Sequence, residues 1–191
     1  MAGNSKNFTK IDVLRCFLRF DKNVSRHDLS KELGLGEGTV RTILDILKSK
    51  KLIRSTKIGH FLSKKGTNTL SQLYEIISLP KQISLKNIYP EYSKIGISVK
   101  NAVGLRQLYK LRDLAVKNGA EGALILKFDG RLYAPESAYE QNFDDIKKYF
   151  NLKEDDVVLV AFSNNKRSAE NGALAIAAEL NPFLKKFINK F

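Results

Sequence analysis

The chain has 191 residues, 43% hydrophobic and 28% charged, a balance that fits globular domains with sizeable cores and excludes extensive disorder. A formal charge of +13, with a pI near 9.7, points to a polyanionic partner such as nucleic acid or an acidic surface. No apolar run reaches the length of a membrane span and the start MAGNSKNFTK has no signal-peptide core, so a cytoplasmic protein with no membrane contact is expected.

Positive charge is denser in the first part of the chain, where residues 1–80 hold 15 Lys+Arg against 7 Asp+Glu, than in residues 81–191, with 18 against 13. The single cysteine, Cys16, sits in the apolar run VLRCFLRF and reads as core filler from a reducing compartment.

Residues 9–20 carry Ile11, Val13, Leu14, Phe17 and Leu18 mostly at helical spacing, with Thr9 as a cap. Ser25, with Asp28 three residues on, starts a second short helix that buries Leu29 and Leu33 and stops at Gly34. After the Gly34-Leu35-Gly36 turn, residues 37–50 place Val40, Ile43, Leu44 and Leu47 on one stripe. The opposite face carries Glu37, Thr39, Arg41, Thr42, Asp45 and Lys48. A helix that buries one stripe and shows short polar and cationic side chains on the other fits a major groove. Residues 52–55 and 60–62 then read as two short strands around a turn at 56–59, a wing whose Arg54, Lys57 and His60 suit phosphate contacts. Ser63 caps a further helix with an apolar stripe of Leu70, Leu73, Tyr74 and Ile77, which predicts a partner.

The run GLGEGTVRTILDILKSKKLIRS followed by FLSKKG is similar to winged-helix transcriptional regulators, over residues 9–78. The resemblance implies a recognition helix, a strand pair and a Leu-Ser/Thr-x-Lys-Gly step in that order. The chain departs from the pattern at Gly36 and Gly38, where Ser or Thr caps are usual. Wing and phosphate contacts are therefore expected to supply more of the affinity than the recognition helix does.

Residues 80–86 read as a linker. Beyond it, residues 95–99 form a strand, 105–117 a helix with Leu108, Leu111, Leu114 and Ala115 on one face, and 123–128 a second strand. Asp129-Gly130 turns into a third strand at 131–134; 143–150 is helical, 157–162 is a fully apolar strand, and 168–180 is a small-residue helix. The order β-α-β-β-α-β predicts a split βαβ, ferredoxin-like α/β sandwich with one helical and one free face. The fold class is thus α+β, with a winged-helix domain at 1–79 and a dimerisation or effector domain at 87–191. The whole layout, carried by LRQLYKLRDLAVKNGAEGALIL with Arg112-Asp113 and the Gly-Ala run from Gly119 to Ala123, resembles an archaeal family of regulators. These join a winged helix to a domain of unknown function, and the resemblance implies fold and partner class only.

A Gly34-x-Gly36-x-Gly38 series lacks the preceding strand and the Lys-Ser pair of a phosphate loop, so it reads as the helix-turn-helix turn. His27, His60 and Cys16 do not form a ligand set, and no nucleophile-base pair stands out; Ser163, Asp144 and Asp155 read as loop or cap residues. No metal, cofactor or catalytic activity is expected. Ser163, Asn164, Asn165, Lys166 and Arg167 join a buried strand to a helix start, a place where a small anionic effector can bind. The tail at 183–191 reads as a closing helix.

The sequence thus points to a homodimeric, sequence-specific DNA-binding regulator. Glu37, Thr39, Arg41, Thr42 and Asp45 are the base-contact candidates, with Arg41 and Thr42 foremost. Arg26, Lys48, Arg54, Lys57, His60 and Lys64 are the backbone-contact candidates on double-stranded DNA. An RNA- or ribosome-associated module, or a winged-helix protein-docking subunit, is the alternative that the same basic charge would serve.

Overall fold

The computed structural model describes residues 7–85, 88–135, 137 and 141–191. It divides into two units, Met1–Leu73 with Phe187–Phe191, and Tyr74–Lys186. The boundary therefore falls at Leu73 and Tyr74, ahead of the stretch expected as a linker.

In the first unit α1 (Lys10–Phe17), α2 (Arg26–Leu33) and α3 (Glu37–Ser49) precede the hairpin of β1 (Ile53–Thr56) and β2 (Gly59–Leu62), and α4 (Lys64–Tyr74) follows. The Ser25 side chain accepts from the Asp28 N–H to start α2, and Gly34, at φ +63°, ends it in the left-handed conformation that glycine tolerates best. Gly38, Thr39, Val40 and Thr42 are poor helix formers, so α3 owes its stability to packing. Its buried Val40, Ile43, Leu44 and Leu47 contribute about 1.5–3 kcal/mol each. Val24 extends the wing by exchanging two backbone hydrogen bonds with His60, of 3.1 and 3.0 Å.

The step out of the wing is a close fit. Ser63 Oγ donates to the Lys51 carbonyl at 2.6 Å and accepts from the Gly66 N–H at 3.0 Å. A Cβ at Gly66 would run into the Leu52 carbonyl, which accounts for the glycine in this Ser-Lys-Lys-Gly sequence. These elements make a winged helix-turn-helix. Of the apolar stripe Leu70, Leu73, Tyr74 and Ile77, α4 carries the first three and ends at Tyr74; Leu70, Leu73 and Ile77 are buried and Tyr74 is half-buried.

The second unit holds β3 (Lys81–Gln82), β4 (Ser93–Val99), α5 (Leu108–Lys117), β5 (Gly122–Asp129), β6 (Arg131–Tyr133), α6 (Asp144–Lys147), β7 (Val157–Ser163) and α7 (Lys166–Leu180); α8 (Pro182–Ile188) closes the chain. Its strands lie in the order β3-β4-β7-β5-β6, with every neighbouring pair antiparallel. The β4-α5-β5 unit is split as expected. The inserted strand is β7, the last in the chain, while the hairpin strand β6 lies at the edge; a ferredoxin-like sheet inserts the hairpin strand instead. The physical reason is hydropathy. All seven residues of β7 are buried, which suits a central strand, and β6 has three residues with Arg131 exposed.

Helices α5 and α7 cover one sheet face. The face expected to be free is covered too. Ile83, Leu126, Leu132, Phe143, Ile146, Val158 and Val160 form a core there, with Tyr149 and Phe150 packed against it. The segment around α6 thus serves as a lid on the sheet rather than an independent helix. Residues 81–82, read as linker, instead pair with Ile95 and Gly96. The absent side chain of Gly96 leaves the room that Ile83 and Phe150 occupy. Among the described residues no helix is long and apolar enough to cross a membrane.

Candidate functional site

The exposed side of α3 opens on a groove of about 370 Å³ lined by Arg26, His27, Glu37, Arg41, Leu44, Asp45, Lys48 and His60. Three segments build it. The start of α2 supplies Arg26 and His27, α3 supplies the row from Glu37 to Lys48, and β2 brings in His60.

Much of the charge is already paired. Glu37 accepts from Arg26 Nε at 3.1 Å, and His27 Nδ1 lies 3.1 Å from its other oxygen. The His27 hydrogen bond, aided by the Arg26 charge, holds the Glu37 carboxyl below its ordinary value. Asp45 pairs with Lys48 at 2.8 Å. That hydrogen bond and charge, with Arg41 and His60 adding theirs, lower the Asp45 carboxyl as well. Glu37 and Asp45, expected to read bases, are therefore engaged in orienting cations.

Arg41 and Thr42 are exposed on the same face; Thr42 Oγ1 donates to the Gly38 carbonyl at 3.2 Å. Thr39 is half-buried. His60 Nδ1 lies 2.6 Å from Ser55 Oγ across the hairpin. Burial, and then the positive charges of Lys48 and Arg26, push the His60 imidazole below its ordinary value of 6.5, against an opposing pull from Asp45. Arg54, Lys57 and Lys64 are exposed, on β1, in the wing turn and at the start of α4.

Two features escaped sequence reasoning. His27 belongs to the groove through Glu37, ten residues away, and no local spacing signals that pair. The wing tip shows Ile58 with 86% of its surface exposed, a lone apolar residue within the stretch read in sequence only as the 56–59 turn.

The start of α3 is distinctive. Gly36 is the N-cap and offers no side-chain hydrogen bond. A Cβ at Gly36 or Gly38 would meet open space, and neither has a positive φ. Nothing inside the unit requires these glycines, yet Gly38 costs about 1 kcal/mol relative to alanine within a helix. Bare N–H groups and a side-chain-free surface suit the close approach of an anionic backbone.

The loop expected to bind an effector is arranged otherwise. Asn165 Oδ1 accepts from the Ser168 N–H at 2.9 Å and so caps α7 itself. Ser163 Oγ donates to the Gly119 carbonyl at 3.2 Å, and Asn164 Nδ2 donates to Glu121 at 3.3 Å. Lys166 is exposed and Arg167 half-buried. Ser163, Asn164 and Asn165 thus bond to neighbouring backbone and side chains of the same unit.

Comparison with known proteins follows the same two-part division. Residues 9–68 match the family described as "PH0730-like, N-terminal domain", and residues 90–180 match "Domain of unknown function (DUF4443)". The search of curated proteins finds no match. Among solved structures the chain is similar to "Hypothetical protein PH0730 from Pyrococcus horikoshii OT3", with 29% identity, a TM-score of 0.78, and 94% of this chain and 98% of that chain covered. The chain is thus similar over nearly its whole length to this archaeal protein, with a PH0730-like match on the winged helix and a DUF4443 match on the α/β unit that follows.

Proposed function

We propose that the protein is a sequence-specific regulator of transcription that binds double-stranded DNA through the winged helix. The observation that carries this reading is the groove on α3, where Arg41 stands exposed among oriented cations, with Thr42 exposed beside it and Arg54 and Lys57 on the adjoining wing. The bare, glycine-lined start of α3 supports it further by leaving room for a phosphate. Roles divide by chemistry. Arg41 is suited to a bidentate contact with guanine, whereas Lys57 supplies charge without sequence information.

Anisotropy titrations against a selected site and against random duplex test the division. Arg41→Ala is expected to lower affinity for the selected site by about 1–3 kcal/mol and to relax choice at one position. Lys57→Ala is expected to weaken both duplexes equally and to reduce the salt slope by about one. Equal losses on both duplexes from both changes defeat the base-reading role, and preferential competition by structured RNA defeats the DNA reading itself. Homodimerisation is part of the proposal, because one winged helix reads a short site. Mapped sites should then hold two half-sites about 10 base pairs apart.

The lowered His60 titration gives the interaction a pH dependence. Nearby phosphates favour the imidazolium, so binding raises the His60 pKa and takes up a proton. Affinity should rise as the pH falls from 7.5 toward 6, by at most about tenfold per unit for one proton. His60→Asn should flatten that profile; an unchanged profile removes His60 from the contact. Folding alone has the opposite sign. Because His60 is depressed in the folded chain, its contribution to stability is intact above its ordinary value of 6.5 and is lost as the pH falls toward the folded value.

A further inference from the structure

The second unit holds a half-open cavity of about 440 Å³ for which the DNA reading has no use. Gln82 and Ser84 border it on one side, Pro90 and Tyr92 on another, and Lys94 and Tyr149 complete the polar lining. Its size lies within the range of small-molecule sites.

Lys94 is the unusual member. It lies on β4, where residues 94, 96 and 98 share the sheet face covered by Ile83 and Phe150, and only 4% of its surface is exposed. Its Nζ donates to the Tyr89 carbonyl at 2.6 Å and to the Tyr92 carbonyl at 3.0 Å. An ammonium has three donors, and these carbonyls take two. Carbonyls carry no net charge, and no carboxylate pairs with Lys94 among the described residues. A buried charge left without a counter-charge is a costly arrangement for structure alone.

The walls beside it are held by contacts of their own. Tyr92 stacks on Phe162, with ring centroids 5.9 Å apart and planes 18° apart. The Tyr149 hydroxyl accepts from the Ser84 N–H at 3.1 Å, which fixes that ring. Two held aromatic rings, a proline and one unneutralised ammonium are together the complement of a flat molecule carrying a single negative charge. With no arginine fork or helix N-terminus among the described residues lining the cavity, the site suits a carboxylate better than a phosphate.

We propose that this cavity binds a small planar organic carboxylate, its charge on Lys94 Nζ and its body against Tyr92, Pro90 and Tyr149. The inference is independent of DNA binding and is read without DNA present. Benzoate is the probe, titrated into the full chain by calorimetry and by NMR chemical-shift mapping, with benzamide as the neutral isostere. Saturable benzoate binding is expected, with benzamide at least about tenfold weaker because it cannot neutralise Lys94. Lys94→Met should weaken benzoate by at least about tenfold. Should that variant not fold, Ser84→Trp, which fills the rim from an exposed position, should abolish binding with Lys94 intact. Equal affinity for benzoate and benzamide, unaltered binding in Ser84→Trp, or no saturation up to about 10 mM each overturns the proposal.

Discussion

Replacing Asp12 with alanine should destabilise the winged-helix unit by about 3–5 kcal/mol, the cost of breaking a buried ion pair by removing one member. Asp12 and Arg15 lie fully inside the unit, with Arg15 Nη1 donating to Asp12 Oδ1 at 2.9 Å. Each also ties down a helix end. Asp12 Oδ2 accepts from the Thr9 N–H at 2.9 Å, closing a capping box at the start of α1. Arg15 Nη2 donates to the Leu33 carbonyl at 3.2 Å, satisfying an orphan group at the end of α2. Helices of eight residues have little stability of their own, so this pair and the surrounding core hold the scaffold on which α3 is mounted.

The sole cysteine provides the measurement. Cys16 is buried on the same helix, and burial pushes its thiol up to about 12, so it is inert while the unit stays closed. Asp12→Ala should raise the rate of thiol labelling by more than about a hundredfold, following the opening equilibrium. Asp12→Asn should cost less, since the amide oxygen can still cap α1. The double change Asp12→Leu with Arg15→Met should recover most of the loss, because both charges of the pair are removed together. A labelling rate raised less than about fivefold in Asp12→Ala means that other contacts to Arg15 carry its charge.

What sequence reasoning reached, and what it missed, follows from distance along the chain. The α3 stripe, the Gly34 stop and the wing are local patterns of caps and periodicity. They place Arg41, Thr42 and Lys57 on the exposed side correctly. The apolar run of β7 reads as a strand for the same reason, whereas its central place between β4 and β5 departs from the expected ferredoxin-like order. The coverage of the second sheet face is not local. Phe143, Ile146 and Phe150 have helical spacing, yet nothing in that spacing says which sheet they meet. Residues 81–82 read as a linker because their pairing depends on Gly96, more than a dozen residues on. The groove shows the same limit. Glu37 looks like a base reader by its position on α3, and only the fold reveals that Arg26 and His27 occupy its carboxylate.

Those ion pairs set the salt dependence of DNA binding on the proposed reading. Counting Arg26, Lys48, Arg54, Lys57 and Lys64 as phosphate contacts gives a log–log slope of about −4.5, or roughly a 500-fold loss of affinity for a fourfold rise in salt. Arg26 and Lys48 are held by Glu37 and Asp45, however, at 3.1 and 2.8 Å. A cation that keeps its carboxylate partner releases no net counterion when it meets a phosphate. Three contacts then remain, giving a slope of about −2.7 and roughly a 40-fold loss over the same range. Wild type should follow the shallower line. The double change Glu37→Gln with Asp45→Asn removes both carboxylates without altering shape, so it should steepen the slope toward the five-cation value and raise affinity for random duplex at low salt. The cost should appear in specificity, because Arg26 and Lys48 lose the partners that orient them. Identical slopes for wild type and the double variant would show that the two pairs open on binding, leaving Glu37 and Asp45 free to accept hydrogen bonds from base edges.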